Sequence, residues 1–441
     1  MTLTLTTLPG GPVTSAAFGF ITPAGKMQIA PRFEMAGAFS EGLAHFKEKT
    51  LYGYIDEKGA VVIPPRFALA SEFSNGLAKV RVNGALGFID RSGALAVQGA
   101  FDDATKFTKN AGAVKSKGLW GIIDRKGKFL QAPRFKNLAP WSEDHAVFSV
   151  DGLCGLLNAD GAVVIEPAYD ALYDVHEGLA AFEKDGKSGY VDPKGKVVIP
   201  ARFERADDFR EGRARVQIGD AFGYIDPRGK LVIDAKHPDL KPRYTDMDVY
   251  GFREGLALFR DGDLFGFMDK QGKVAIPAQF GEATLFHEGR AQVRTKDYEK
   301  AFIDSSGKVV LSHSYDEARD FDQGVAVVKA KQHYGLIDLA GKVVVPIEQE
   351  SIAPFSGGLA CVRATRVDEK ATRERLDAIN ADLKALEKEM APTVRKFVRL
   401  TAVPHGEVAW DQKEWWKREL DKDGPKALLA SKFGGVPYLP K

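Results

Sequence analysis

The chain is nearly without cysteine: Cys154 and Cys361 are the two in 441 residues. Neither sits in a CxxC pair or beside a histidine cluster, so no thiol metal site or dithiol redox site is expected. Both fall at apolar positions and read as small buried hydrophobes. An excess of charge is missing as well. Lys plus Arg number 62 against 60 Asp plus Glu, which leaves no basic surplus of the kind nucleic-acid and membrane-surface proteins carry. No apolar run approaches the roughly 18 residues of a membrane span. The first residues, Met1 to Thr7, have neither a charged leader nor a long apolar stretch. They do not read as a signal peptide, and a cytoplasmic location is the default expectation. The eight histidines are scattered, with no HExxH and no nucleophile elbow. Neither a cofactor, a metal, a nucleic acid nor a membrane partner is therefore expected.

Glycine is abundant, at 45 residues, and its placement is regular. The pattern Gly-aromatic-Ile-Asp-x-x-Gly-Lys-Val-Val-Ile-Pro-x-x-Phe-x-x-Ala-x-x-Phe-x-Glu-Gly-Leu-Ala-x-Val recurs along the chain. Its first glycine falls at Gly19, Gly53, Gly87, Gly121, Gly155, Gly189 and Gly223, every step being 34 residues. Gly266 follows after 43, Ala301 stands in the glycine slot after 35, and Gly335 follows after 34. Ten copies at this spacing define a tandem array.

One copy shows how a unit should fold. Tyr52-Gly53-Tyr54-Ile55 is strand-like. Asp56-Glu57-Lys58-Gly59 supplies a turn, with Asp bonding the backbone two residues on and Gly accepting positive φ. Ala60-Val61-Val62-Ile63 returns, and Pro64-Pro65 is expected to stop it. Phe67 and Phe73 anchor a connecting loop, Asn75-Gly76 turns, and Leu77 to Val82 forms a third strand. The expectation is three antiparallel strands and a loop per unit. Return strands such as Val163-Val164-Ile165 and Val197-Val198-Ile199 are continuously apolar, which predicts cover on both faces. Stacked sheets supply that cover, as a propeller-like ring or as an open superhelix.

These residues resemble the bacterial WG-repeat, or KWG, proteins. The namesake pair is literal at Trp120-Gly121, while Tyr52-Gly53, Leu86-Gly87, Cys154-Gly155 and Phe222-Gly223 stand at equivalent places. The Ile-Asp-x-x-Gly and Glu-Gly-Leu-Ala parts match better, and the resemblance covers residue 19 to about 363. It implies a β-repeat scaffold and carries over no catalytic residue.

The array is expected to span residues 1–363, a helical tail 364–430, and a last segment 431–441. In the tail Leu376, Ile379, Leu383, Leu386 and Met390 predict an amphipathic helix from about Asp368 to Met390. Further helical pieces are expected over Thr393–Leu400 and Asp411–Leu420, with the array end capped by the tail. Ser431 to Pro440 resembles the opening of the YwqG-like domain of unknown function. Thr2 to Leu8 alternates and precedes repeat one, where a third strand is needed; Gly358 to Val362 leaves an unpaired strand at the other end. These ends are expected to meet or to be capped separately.

The Asp series at the hairpin corners reads as turn formers, and the Glu series (Glu41, Glu143, Glu177, Glu211, Glu254, Glu288) as structural or solvated. Arg32, Arg66, Arg134 and Arg202 precede the loop aromatic and, if stacked in register, form a basic ladder for an anion or an acidic peptide. Repeat seven carries about nine extra residues within Ala235 to Phe252. His237, Lys241, Arg243, Tyr244 and Tyr250 lie there, and insertions in arrays often fall on a binding face. The third repeat is irregular, with Lys109-Asn110 in place of Glu-Gly. The expected function is a non-enzymatic β-repeat scaffold for a protein or peptide partner, with no prediction of oligomeric state. The alternatives are an auxiliary module of a YwqG-like protein, possibly in toxin neutralisation since family members sometimes lie near toxin and immunity genes, and an enzyme with its site at a ring mouth.

Overall fold

Two kinds of turn fold each repeat in the computed structural model, which describes residues 2–3, 14–237, 251–367, 369–389, 398–403 and 407–412. The Asp corner behaves as expected. Asp56 Oδ1 accepts from the Lys58 and Ala60 amides at 2.9 and 2.8 Å, and Gly59 takes a φ of 81°. The Glu-Gly step is a second turn. Glu41 and Gly42 have φ of 53° and 76°, and Ser40 and Leu43 exchange backbone hydrogen bonds across them. Two positive φ values in a two-residue loop make a type I′ hairpin.

Each unit has one strand more than the three expected. The residues after the loop aromatic pair with the following strand, as in Met35–Ala36, Leu69–Ser74 and Asp103–Ala104. Most blades are therefore four-stranded, and three strands are described in the one built from Leu256–Phe280. Many of these first strands are two residues long, too short for alternation to reveal them.

The return strand does not stop at its prolines; it runs Val61–Phe67 through Pro64 and Pro65. It stands last in the sheet order, an edge where a missing N–H is tolerated. The prolines lie in a bulge, because Tyr52 pairs with Phe67 and Tyr54 with Ile63. That bulge folds back over Gly53, where a Cβ would lie 2.4 Å from the Ile63 carbonyl oxygen. Close approach of backbone is thus the reason glycine opens the repeat. The ninth unit shows the converse. Ala301 pairs squarely with Ser312 and no bulge lies over it, so a side chain fits.

The return strands are not covered on both faces. Val61 is 52% exposed and Val62 44%, while Ile63 is buried. Cover comes only where the neighbouring sheet reaches. Tyr190, Ile199 and Phe203 of blade six meet Phe209, Ala214 and Val216 of blade seven. Equivalent edge-to-face aromatic pairs join other blades: Tyr54–Phe73 at 4.9 Å, Phe88–Phe107 at 4.7 Å and Phe267–Phe286 at 4.9 Å.

Both ends of the array build the first blade. Leu359–Val367 lies between Thr14–Ile21 and Ser351–Ser356 in one sheet. Ile21 and Ile352 pack on Val327 and Leu336 of blade ten, and Phe20 and Cys361 on Phe39 and Phe46 of blade two. Ten small antiparallel sheets thus close into a ring like a ten-bladed β-propeller. Short side chains bridge successive blades at the first-strand end, where Ser40 Oγ donates to the Phe73 carbonyl at 2.7 Å and Ser356 Oγ to that of Phe39 at 2.6 Å. At the return-strand end arginines reach across, as Arg66 does to the Gly93 carbonyl. Radial sheets converge inward, so the short first strands form the inner edge and the return strands the outer.

The chain forms two compact units, Phe18–Ala364, and Met1–Ala17 with Thr365–Lys441. In the second, the helix Glu369–Glu389 matches the expected one and buries Thr372 and Leu376. Of the two further helical pieces only residues 398–400 and 411–412 are described, and there the expectation is corrected: they belong to the antiparallel strands Val398–Val403 and Glu407–Gln412, while the remainder of both pieces lies outside the described residues. Val398, Thr401, Val403 and Val408 are β-branched, which favours strand once a partner is present. Thr2–Leu3 pairs with Glu407–Gln412, so Leu359–Val367, not the N-terminal stretch, fills the place beside repeat one. Residues 413–441, with the segment 431–441, lie outside the described residues.

Candidate functional site

The acidic series is the link from blade to blade. Each Glu sits in the left-handed region, which for a non-glycine costs about 1 kcal/mol or more. Its side chain reaches the next repeat's turn. Glu177 accepts from the Glu211 and Gly212 amides at 2.5 and 2.8 Å, and Glu211 from those of Glu254 and Gly255 at 2.6 and 2.9 Å. Glu41, Glu143, Glu254 and Glu288 do the same for Gly76, Gly178, Gly289 and Gly324. Charge-assisted bonds to otherwise orphan amides offset the strain. The expected structural reading of this row holds.

The arginines are placed one per blade along the outer edge and are exposed. Arg66 Nη2 donates to the Gly93 carbonyl at 2.6 Å and Arg202 Nη2 to that of Gly229 at 2.5 Å; Arg32 does the same with Gly59. Arg134 instead donates to Gln131 Oε1 at 3.3 Å. All four guanidinium groups lie over the aromatic ring that follows them, 4.9 to 5.1 Å from its centre. Three of the four thus brace the next blade's hairpin, and all four remain exposed. Of the insertion, His237 ends the strand Leu231–His237 opposite Phe222. Lys241, Arg243, Tyr244 and Tyr250 lie outside the described residues.

Beside the point where the chain returns from that insertion, at Gly251, lies a polar cavity of about 470 Å³ between blades six and seven. Arg215, only 2% exposed, bonds Asp207 Oδ2 at 2.6 Å and stacks over Phe222 at 5.0 Å. Tyr173 donates to Glu183 Oε1 at 2.8 Å, and its hydroxyl is pushed up to about 12 by burial and by that carboxylate. Burial also raises the Asp208 carboxyl, against the pull of His176, whose Nε2 lies 3.3 Å from Asp208 Oδ2. Among the described residues the cavity lining contains no serine, cysteine or histidine. It can hold a polar group by complementary charges. Repeat-by-repeat reading missed these residues. The signal was there: Asp207-Asp208 and Arg210 stand where blade two has Gly37-Ala38 and Ser40.

Among the described residues no three His, Cys, Asp or Glu side chains are grouped to hold a metal ion. No described helix is long and apolar enough to cross a membrane. Burial pushes the Cys361 thiol up to about 12, as expected of a structural cysteine.

Fold and site together define a propeller-like ring of tandem β-repeats whose recurring polar residues hold blade to blade. A family model for the WG containing repeat matches nine segments: 18–49, 52–84, 87–120, 120–154, 155–187, 189–220, 265–298, 301–331 and 334–364. These cover more than half of the chain, which belongs to the WG-repeat family. The unmatched stretch from 221 to 264 holds the extension of repeat seven. Among curated proteins none matches the chain. Similar solved structures include the crystal structure of the eukaryotic initiation factor, at 11% identity over 69% of this chain and 97% of that one, with a TM-score of 0.38. BamB from Moraxella catarrhalis is 12% identical over 65% of this chain and 91% of its own, with a TM-score of 0.27. Kluyveromyces lactis Hsv2p is 8% identical over 64% and 97%, with a TM-score of 0.28. Likenesses this distant carry nothing about function.

Proposed function

We propose that this chain is a non-enzymatic β-repeat scaffold that binds a protein or peptide partner. The observation that carries the reading is the use to which the repeated polar groups are put. Asp56 and its equivalents hold hairpins, the glutamates hold turns, and three of the four candidate arginines brace neighbouring blades. What remains is surface: outer strands with exposed valines and exposed arginines. Arg32, Arg66, Arg134 and Arg202 are proposed as contacts for acidic groups of the partner, with the polar cavity by Asp207 as a second contact. The test is retention of a partner by the immobilised full chain at moderate salt. A stoichiometric partner whose binding weakens several-fold in the Arg66→Ala/Arg134→Ala variant is the expected result. Failure to retain any partner removes the proposal.

A further inference from the structure

Outer strands are sheet edges, and natural sheets blunt such edges with proline, charge or bulges. Seven of the ten outer strands here carry a proline, as at Pro31, Pro64 and Pro200. Blade seven lacks one but carries Asp234 and Lys236. Blade nine lacks one but has Lys308 before its strand and His313 within it. Blade three has neither device. Its outer strand Leu95–Gln98 contains no proline, and the whole stretch from Gly93 to Phe101 contains no charged residue. The two-residue bulge is missing too, since Gly87 pairs with Gln98 and Phe88 with Val97; a one-residue shift remains at Ala96, because Ile89 pairs with Leu95. Leu95 is 43% exposed, Ala96 and Gln98 are exposed, and no described strand pairs beyond this one.

We propose that this edge docks an extended segment of a partner protein, which adds to blade three as a fifth strand. The proposal rests on the scaffold reading above and names where the partner binds. Backbone hydrogen bonds supply the affinity in strand addition. The surroundings select the segment. Charged side chains laid along Leu95 and Ala96 would lose water and find no counter-charge. The neighbouring blades put positive charge beside the edge, while the acidic Asp102 and Asp103 follow Phe101 beyond the strand's end. Arg66 is bonded to the Gly93 carbonyl at the strand's start, and Lys128 follows Gly127, whose position abuts Val97. The occupant is therefore a segment with an uncharged β-branched centre and acidic flanks. A second copy of this chain fits less well, because it would bring these basic flanks against their own duplicates.

The probe is a fluorescein-labelled peptide, Asp-Glu-Val-Thr-Val-Thr-Val-Glu-Asp, titrated with the full chain. Saturable binding is expected, with slowed hydrogen exchange at the Leu95–Gln98 amides. The Ala94→Lys/Gln98→Pro variant gives blade three what blade six has in Lys196 and Pro200; it should weaken binding at least tenfold. Ala96→Lys, a single exposed change, should do the same and guards against misfolding of the double variant. Absence of binding, unchanged binding in both variants, or binding without protection at Leu95–Gln98 overturns the proposal. Self-association that Ala96→Lys abolishes overturns it too, since the occupant is then a second copy. If a partner retained by the immobilised chain is retained equally by Ala96→Lys, the edge falls and the scaffold reading stands.

Discussion

The interface between blades six and seven and the interface between blades three and four share an apolar core and differ in their polar braces. Both have an edge-to-face pair, Tyr190–Phe209 at 4.8 Å in one and Phe88–Phe107 at 4.7 Å in the other. Both bury aliphatic residues around it. The first adds two braces, Glu177 to the Glu211-Gly212 turn and Arg202 to the Gly229 carbonyl. The second has Asn75 and Ala100 at those positions. Asn75 Nδ2 donates to the Phe107 carbonyl at 3.0 Å, and nothing replaces the arginine. Blade spacing is nonetheless the same within 0.1 Å at the ring pair. The second interface has its own polar links, Arg125 Nη1 to the Asn75 carbonyl at 2.8 Å and Lys79 Nζ to the Ala104 carbonyl at 2.7 Å, so the same spacing is reached around a common apolar core with different polar partners. The blade without the arginine is also the one whose outer edge is open.

If the core is common to both interfaces, losing its aromatic should cost the same in each. Phe209→Ala and Phe107→Ala, both nearly fully buried, are each expected to lose about 3–5 kcal/mol in urea unfolding. A loss at Phe107 less than half that at Phe209 would break the equivalence.

The next effect concerns the bulge over the opening glycine. In blade six a Cβ at Gly189 would lie 2.6 Å from the Ile199 carbonyl oxygen and 2.7 Å from the Ala201 nitrogen. Backbone must move, and Gly189→Ala is expected to cost about 2–3 kcal/mol. In blade nine Ala301→Gly should cost only about 0.5–1 kcal/mol, from chain entropy and a lost methyl. Thermal unfolding of the two variants beside the parent chain gives the order directly.

The arginine brace comes third. Arg202→Ala removes a charged donor and a cation over Phe203, and is expected to cost about 1–2 kcal/mol. Ala100→Arg supplies the missing brace to blade three and should gain less than about 1 kcal/mol, because the side chain must be ordered to make it. A gain equal to the loss at Arg202 would show that blade three is already built to receive it.

Much of this was legible in the sequence. The period, the Asp-x-x-Gly hairpin and the return strand are local, and each is written in consecutive residues. The fourth strand was not, because two residues such as Met35 and Ala36 carry no periodicity. The role of Glu in a type I′ turn was hidden for a different reason: Asn is the better turn former, and the preference for Glu makes sense only when the next blade's amides are in place. Pro64 looks like a strand breaker in the sequence, whereas at a sheet edge it costs no hydrogen bond. The cavity by Asp207 needed neighbours from two blades. Ring closure needed the knowledge that Leu359–Val367 lies beside Thr14–Ile21, residues more than 300 apart in sequence.

The smallest effect separates the Glu211 turn from the Asn75 turn by pH. Burial pushes the Glu211 carboxyl up, but the Lys270 ammonium at 3.0 Å and the amides of Gly255 and Glu254 outweigh it and hold the group below the usual carboxylate range. A carboxyl whose folded value lies below its unfolded one stabilises the fold above the unfolded value, about 4.3 for Glu. That stabilisation fades as pH falls through the lowered folded value. Stability should therefore be flat from pH 7 to 5 as far as this group is concerned and fall below about pH 4.3. Glu211→Gln should be less stable at pH 7 and show a shallower loss on acidification. Asn75→Gln, which exchanges one uncharged side chain for another and leaves Glu41 on the Gly76 amide, should leave the acid slope unchanged. An acid slope that Glu211→Gln does not alter would mean that the amides bind the neutral side chain as well as the charged one. The brace would then owe its effect to geometry and not to charge, and the difference between the two interfaces would lie in reach alone.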